Sequence, residues 1–197
     1  MRSPLTPFSL RCALTAILVA GTLACDASAA DLSAPPGVPS VGQPRDIPAD
    51  IVRVARVELR KGVRESPMGS NDSKAIARYR RAMVPRAHSG PWCAYFASWV
   101  TRRGGAPIGA RGSGIASAAG IRAWAVRTGR WRHLPRPGDI AVFPGHVGVV
   151  ATVTGSHMTT IDGNWSNRVT QVARRRYEAV GFARVAVGGH RTARRRG

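Results

Sequence analysis

The segment GPWCAYFASWV, residues 90–100, places one cysteine at the head of an apolar and aromatic run. Phe96 and Trp99 fit the spacing of a packed helix, and Pro91 suits a first helical position. Cys93 then lies in the first helical turn, where unpaired backbone N–H groups and the helix dipole favour a thiolate. Taken alone, these residues leave two interpretations of Cys93 open, a nucleophile or a small buried hydrophobe.

Helical patterns flank this segment on both sides. Asp50 is a candidate N-cap for a helix that ends at Gly62, and a second helix is predicted to start at Asp72 or Ser73. An alanine-rich stretch, residues 115–128, predicts a fourth helix after the one that carries Cys93. The part of the domain up to residue 128 is therefore expected to be helical.

Beyond Gly129 the sequence changes to short β-rich segments separated by turn residues. Helices first and an antiparallel sheet second is an α+β arrangement. The predicted strand segments are DIAVFP (139–144), HVGVVATV (146–153), HMTTID (157–162), RVTQVARRRY (168–177) and VGFARVAV (180–187).

The two terminal regions of the sequence predict an export signal and a basic tail. Residues 1–30 combine early arginines, a short apolar run and an ASAA site, as a secretory signal peptide does. Residues 31–48 are proline-rich and predict a linker, residues 49–188 form the domain, and residues 189–197 are a basic tail. We therefore expect a secreted or cell-envelope protein.

Cysteine usage bears on the role of Cys93. Of the three cysteines, Cys12 and Cys25 fall in the predicted leader. The remaining thiol has no intramolecular disulfide partner, and a leftover thiol in an exported protein is a candidate reactive group. Lipoprotein anchoring at Cys25 is a minor alternative, because its preceding residues depart from the usual lipidation pattern.

The charge is strongly positive, with 30 Lys and Arg against 10 Asp and Glu and a formal net charge of +20. Such a field attracts polyanions. Because export is predicted and no recognition motif is present, nucleic acid is not expected as a partner. Anionic wall polymers or a membrane surface are the expected partners of this charge.

A cysteine nucleophile needs a base and a group that orients it. His146 follows a Pro-Gly turn at the head of an apolar strand, which fixes its direction near a surface. Asp162 and Asn164 stand one residue apart at the end of the next strand, where alternate side chains share a face. Either residue is a candidate to align the imidazole, and the sequence does not choose between them.

Three other residues stand near these segments. Trp92 and Trp165 flank the candidate catalytic residues and are candidates to line a substrate cleft, with core packing equally compatible. Glu65 is expected to be a solvated loop carboxylate. The stretch 69–72 has too few carboxylates for a calcium site, so no metal and no cofactor are expected.

Taken in order, these segments resemble the CHAP family of cysteine, histidine-dependent amidohydrolases/peptidases. The resemblance spans about residues 51–187 and rests on Trp92-Cys93-Ala94 with Trp99, Pro137-Gly138-Asp139-Ile140, His146-Val147-Gly148-Val149-Val150 and Asp162-Gly163-Asn164. It implies a papain-like fold, with N-terminal helices packed on a C-terminal antiparallel sheet. The cysteine would lie on a helix and the histidine on the facing sheet.

The resemblance also implies roles and a substrate. Cys93 matches the family's nucleophile, His146 its base and Asn164 the following polar residue, while Asp162 stands where many members have glutamate. The implied activity is hydrolysis of peptidoglycan, as an N-acetylmuramoyl-L-alanine amidase or a peptide endopeptidase, by a monomer. The alternative is a non-catalytic basic module that binds cell wall or another polyanion on the same fold.

Overall fold

The computed structural model describes residues 45–83, 85 and 88–186. The predicted signal peptide, the basic tail and most of the linker, together with Cys25, lie outside these residues. Within the described part, no helix is both long and apolar enough to cross a membrane.

In the part of the chain that the structure describes, four α-helices precede the sheet: α1 (Ile47–Arg60), α2 (Lys74–Arg81), α3 (Cys93–Arg103) and α4 (Ala118–Arg127). Asp46, not Asp50, caps α1 by accepting a hydrogen bond from the Ala49 N–H at 3.1 Å. The prediction for this cap was wrong because Asp50 lies inside the first turn, where it pairs with Arg45 and Arg53. The predicted helix start at Ser73 is confirmed, since its hydroxyl caps α2.

The sheet has six antiparallel strands: β1 (Trp131–Arg132), β2 (Ile140–Phe143), β3 (His146–Thr154), β4 (His157–Trp165), β5 (Arg168–Arg175) and β6 (Gly181–Ala183). Their spatial order is β1-β6-β2-β3-β4-β5. Helices that precede and pack on an antiparallel sheet confirm the predicted α+β class and its papain-like layout. The last strand returns to lie between the first two.

The main core lies between the helices and one face of the sheet. Alternate strand residues such as Val147 and Val149 join buried helix residues such as Ile51 and Phe96 in this core. The other face carries a smaller buried cluster of Ala141, Phe143, Val150, Met158 and Phe182. The sheet is therefore buried in part on both of its faces.

Helix α3 approaches β4 closely because Gly163 has no side chain. A Cβ at this position would lie 2.5 Å from the Cβ of Phe96 and 2.9 Å from the Trp92 ring. These distances are far below van der Waals contact, so any larger residue would push the strand away from the helix. The glycine thus fixes how near the start of α3 comes to Asp162.

Candidate active site

Cys93 is the first residue of α3 and is 6% exposed. Pro91 precedes the cap residue Trp92 and therefore does not occupy the first helical position, contrary to prediction. The Trp92 side chain makes no capping hydrogen bond, and the first intrahelical bond runs from the Phe96 N–H. The N–H groups beside Cys93 consequently have no intrahelical acceptor, which suits them to stabilise negative charge.

Trp92 anchors the start of α3 from within the core. It is fully buried, and its indole N–H donates to Glu65 Oε1 at 2.9 Å. The other Glu65 oxygen accepts from the Asn71 N–H at 3.0 Å, and the carboxylate residue is only 3% exposed. Core packing, one of the two alternatives left open for Trp92, is the one observed, whereas the prediction that Glu65 is solvated was wrong.

His146 is the first residue of β3, directly after the β2–β3 turn. Its Nε2 lies 2.9 Å from Asp162 Oδ2, and its side chain keeps 16% of its surface exposed. Burial opposes the charged ring, but hydrogen bonds and charge interactions with Asp162 and Cys93 outweigh it and raise the pKa of His146 to about 9. Because Nε2 faces Asp162, Nδ1 is the nitrogen left for the thiol.

Asp162 is fully buried on β4 and serves two cations through one oxygen. Oδ2 accepts from Arg174 Nη2 at 2.6 Å as well as facing the imidazole. Oδ1 has no hydrogen-bond partner among the described residues. It lies where Gly148 leaves space, since a Cβ there would come within 2.0 Å of it. The glycine on β3 therefore makes room for the carboxylate beside His146.

Arg174, on β5, is held in place by more than its ion pair. Its guanidinium lies between two rings, 4.2 Å from the centroid of Phe143 and 4.5 Å from that of Trp165. Its Nε donates to Thr160 at 3.2 Å, and the side chain is only 7% exposed. Sequence reasoning missed this residue, because one arginine among the many on β5 carries no distinguishing local pattern.

Among the described residues the Asn164 side chain makes no hydrogen bond to His146, although the sequence predicts that it shares the face of Asp162. The β4–β5 register shifts between Asp162 and Trp165, and Asn164 has a φ of +62°. This bulge breaks the two-residue alternation on which the prediction depended. The Asn164 amide instead faces Asn71 Oδ1 at 3.5 Å, at the upper limit of a hydrogen bond.

Trp165 lies at the rim of the site. It is 38% exposed, and its ring centroid stands 5.3 Å from that of His146 in an edge-on arrangement. Its role in binding substrate stays a prediction. Within the described ranges, no group of three or more His, Cys, Asp or Glu is arranged to hold a metal ion.

A cysteine at a helix start, facing a histidine at the head of a strand, defines the papain-like class of cysteine and histidine sites. Residues 85–164 match the family model of the CHAP domain, which confirms the resemblance predicted from the sequence. This family comprises peptidoglycan amidases and peptidases that are generally cysteine- and histidine-dependent hydrolases. No curated protein and no solved structure matches the chain.

The matched segment contains Cys93, His146, Asp162 and Asn164. Two residues that hold the site lie outside it, namely Glu65 ahead of α2 and Arg174 on β5. The environment of the site in this chain therefore extends beyond the segment that the family model recognises.

Proposed function

We propose that this protein is an exported hydrolase that cleaves an amide bond in peptidoglycan, with Cys93 as nucleophile and His146 as base and acid. The observation that carries the proposal is the 2.9 Å contact between His146 Nε2 and the buried Asp162, beside the cysteine that opens α3. This contact fixes the ring so that its other nitrogen serves the thiol. The chemistry needs all three groups in one place.

In the resting site the thiol proton belongs to the Cys93–His146 pair. A pKa of about 9 keeps the His146 ring protonated at neutral pH, and the proposed mechanism starts from this imidazolium beside the Cys93 thiolate. The sulfur then attacks the amide carbonyl carbon, and the carbonyl π electrons move to oxygen. We expect the N–H groups at the start of α3, which have no intrahelical acceptor, to stabilise this oxyanion.

Collapse of the tetrahedral intermediate breaks the carbon–nitrogen bond. His146 gives its proton to the departing amine, which leaves neutral, and the acyl group remains on sulfur as a thioester. Water then loses a proton to His146 as its oxygen attacks the thioester carbon. The thiolate leaves, the acid is released, and the imidazolium–thiolate pair is restored.

Two bonds fit this chemistry equally well. An N-acetylmuramoyl-L-alanine amidase would cut between the sugar lactyl group and the peptide, whereas an endopeptidase would cut within the peptides. Export is supported by the leader-like residues 1–30, and the net charge of +20 would hold the enzyme on anionic wall polymers or a membrane surface.

The decisive test is digestion of purified peptidoglycan by the chain without residues 1–30, compared with Cys93→Ala. We expect soluble fragments from the parent and a loss of at least about 10³-fold in the variant, because the nucleophile is removed. Mass spectrometry of the fragments names the bond: a free lactyl carboxylate indicates the amidase, and new peptide termini indicate the endopeptidase.

Circular dichroism of Cys93→Ala controls for folding. The control is needed because the substitution removes a buried sulfur atom and so changes the packing of the core. Equal release by parent and variant would refute cysteine catalysis. No release by either protein under reducing conditions, with wall sedimentation that weakens as salt rises, would instead favour the non-catalytic polyanion-binding module.

A further inference from the structure

A groove of about 790 Å³ lies between α4 and the β2–β3 turn, apart from the catalytic contacts. Its volume is within the range of small-ligand sites, roughly 300–1,000 Å³. Small and apolar residues form most of its walls, and Val126 and Val180 are 56% and 48% exposed there. Exposed valines in one groove indicate a surface that gains by being covered.

The groove is also positively charged. Arg122 and Arg127 contribute to its walls, and no carboxylate is among its lining residues. The Arg122 guanidinium lies 5.8 Å from the centroid of the Trp131 ring, which restrains it beside the groove. An occupant that matches this surface combines small apolar groups with negative charge.

One end of the groove lies at the β2–β3 turn that directly precedes His146. Phe143, Pro144 and Gly145 line it, and Gly145 is the residue directly before His146. Phe143 pairs with His146 across the β2–β3 hairpin, and their ring centroids are 6.3 Å apart. A chain that lies in the groove would therefore lead to the reacting centre.

We propose that this groove binds a peptide segment of the substrate that carries free carboxylates and small apolar side chains, on one side of the scissile bond. The proposal rests on the proposed function and specifies its substrate. The alanine methyl groups of a peptidoglycan stem peptide fit the alanine and valine walls, and its carboxylates pair with Arg122 and Arg127. A purely apolar ligand would leave both arginines without partners.

Binding is best measured in the Cys93→Ala background, so that the result does not depend on turnover. The probes are a synthetic stem tetrapeptide with free carboxylates and the same peptide with each carboxylate amidated. Isothermal titration compares Arg122→Gln/Arg127→Gln with a matched control, Arg56→Gln/Arg60→Gln. Each pair removes one mid-helix and one last-turn arginine, from α4 and from α1 respectively.

We expect the groove pair to raise the Kd of the free acid at least about tenfold, because two charge-assisted contacts are lost. The Kd of the amidated peptide should change less than about twofold, and the control pair should change both values less than about twofold. Ala123→Trp, which fills the groove, should weaken both peptides, whereas Ala49→Trp on α1 should weaken neither.

Equal weakening of the free acid by the two arginine pairs would overturn the proposal, since it would reflect only net charge. Unchanged binding in Ala123→Trp would overturn it as well. Failure of the proposed function is separate: it would appear as absence of peptidoglycan hydrolysis by the parent, whatever the binding data show.

Discussion

Asp162, on β4, and Asp139, directly before β2, are two buried aspartates, each paired with an arginine from a later segment. Arg184 grips both oxygens of Asp139, at 3.2 and 2.9 Å, and the Arg136 N–H adds a third bond. Burial raises the pKa of Asp139, and Arg184 opposes this change. Both oxygens of this carboxylate accept hydrogen bonds that hold the fold together.

Asp162 has the opposite arrangement. Its Oδ2 takes both Arg174 and His146, while Oδ1 has no partner among the described residues. A carboxylate with a spare oxygen and a titratable neighbour is poorly placed to serve only stability, because an unpaired buried acceptor costs free energy. From this difference we expect the Asp139–Arg184 pair to serve structure and the Asp162–Arg174 pair, alike in residue type and burial, to serve the proposed chemistry.

Neutralising each aspartate in turn should have the largest effect on activity and give the clearest contrast between the two pairs. Asp162→Asn should lower kcat/KM for peptidoglycan about 10²- to 10⁴-fold, because an amide neither fixes the tautomer nor stabilises the imidazolium. Asp139→Asn should leave kcat/KM within about threefold but lower the free energy of unfolding by about 1–3 kcal/mol. Measurements of kcat/KM and of the free energy of unfolding in denaturant, made on both variants, test these two expectations.

If Asp139→Asn lost activity as deeply as Asp162→Asn while remaining folded, the division into a structural and a chemical pair would be wrong. If neither variant lost activity, His146 would not depend on Asp162 for its orientation.

The elements that carry the site were predictable from sequence because their signals are local. The aromatic spacing around Cys93 indicates a helix, and the turn before His146 indicates a strand head, within a few residues of each. Helices ahead of an antiparallel sheet followed from the same periodicities. The family resemblance then supplied the pairing of these segments.

The partners of those residues were not predictable, because they depend on register and on distant loops. Arg174 reaches Asp162 only through the β4–β5 pairing, and Glu65 reaches Trp92 across 27 residues. The bulge at Asn164 depends on a left-handed backbone conformation, and an asparagine within a β-rich run does not by itself predict one. A local pattern specifies an element, and tertiary packing specifies what its side chains touch.

The pH dependence of turnover offers a second test of the contrast between the two aspartate pairs, with a smaller expected effect on the rate. With a pKa of about 9 in place of 6.5, His146 is protonated at neutral pH and loses its proton as the pH rises through about 9. The alkaline fall of kcat/KM should lie near that pH, because the departing amine needs the proton. By linkage, this group's stabilisation is complete below about pH 6.5 and disappears as the pH rises through about 9.

Arg174→Met removes a competing cation from Asp162, so the His146–Asp162 pair should hold its proton more tightly. We expect the alkaline fall to move to higher pH, with the plateau rate lowered about 10- to 100-fold by loss of the packed guanidinium. Arg184→Met should leave the position of the fall unchanged. Rates across pH 6–11, with Cys93 alkylation by iodoacetamide as an independent readout, would detect the shift; equal behaviour of the two variants would contradict it.

The smallest effect is expected at Asn164. Two substitutions there distinguish the contribution of the side chain from that of the left-handed backbone in the bulge. Asn164→Gly keeps the left-handed conformation and removes only the amide, whose contact with Asn71 is 3.5 Å long. Activity should then change less than about threefold, because His146 is oriented by Asp162. Asn164→Ala should also destabilise the fold, by about 1 kcal/mol, since alanine tolerates a φ of +62° poorly. A loss in Asn164→Gly as deep as that in Asp162→Asn would transfer the orienting role to the asparagine.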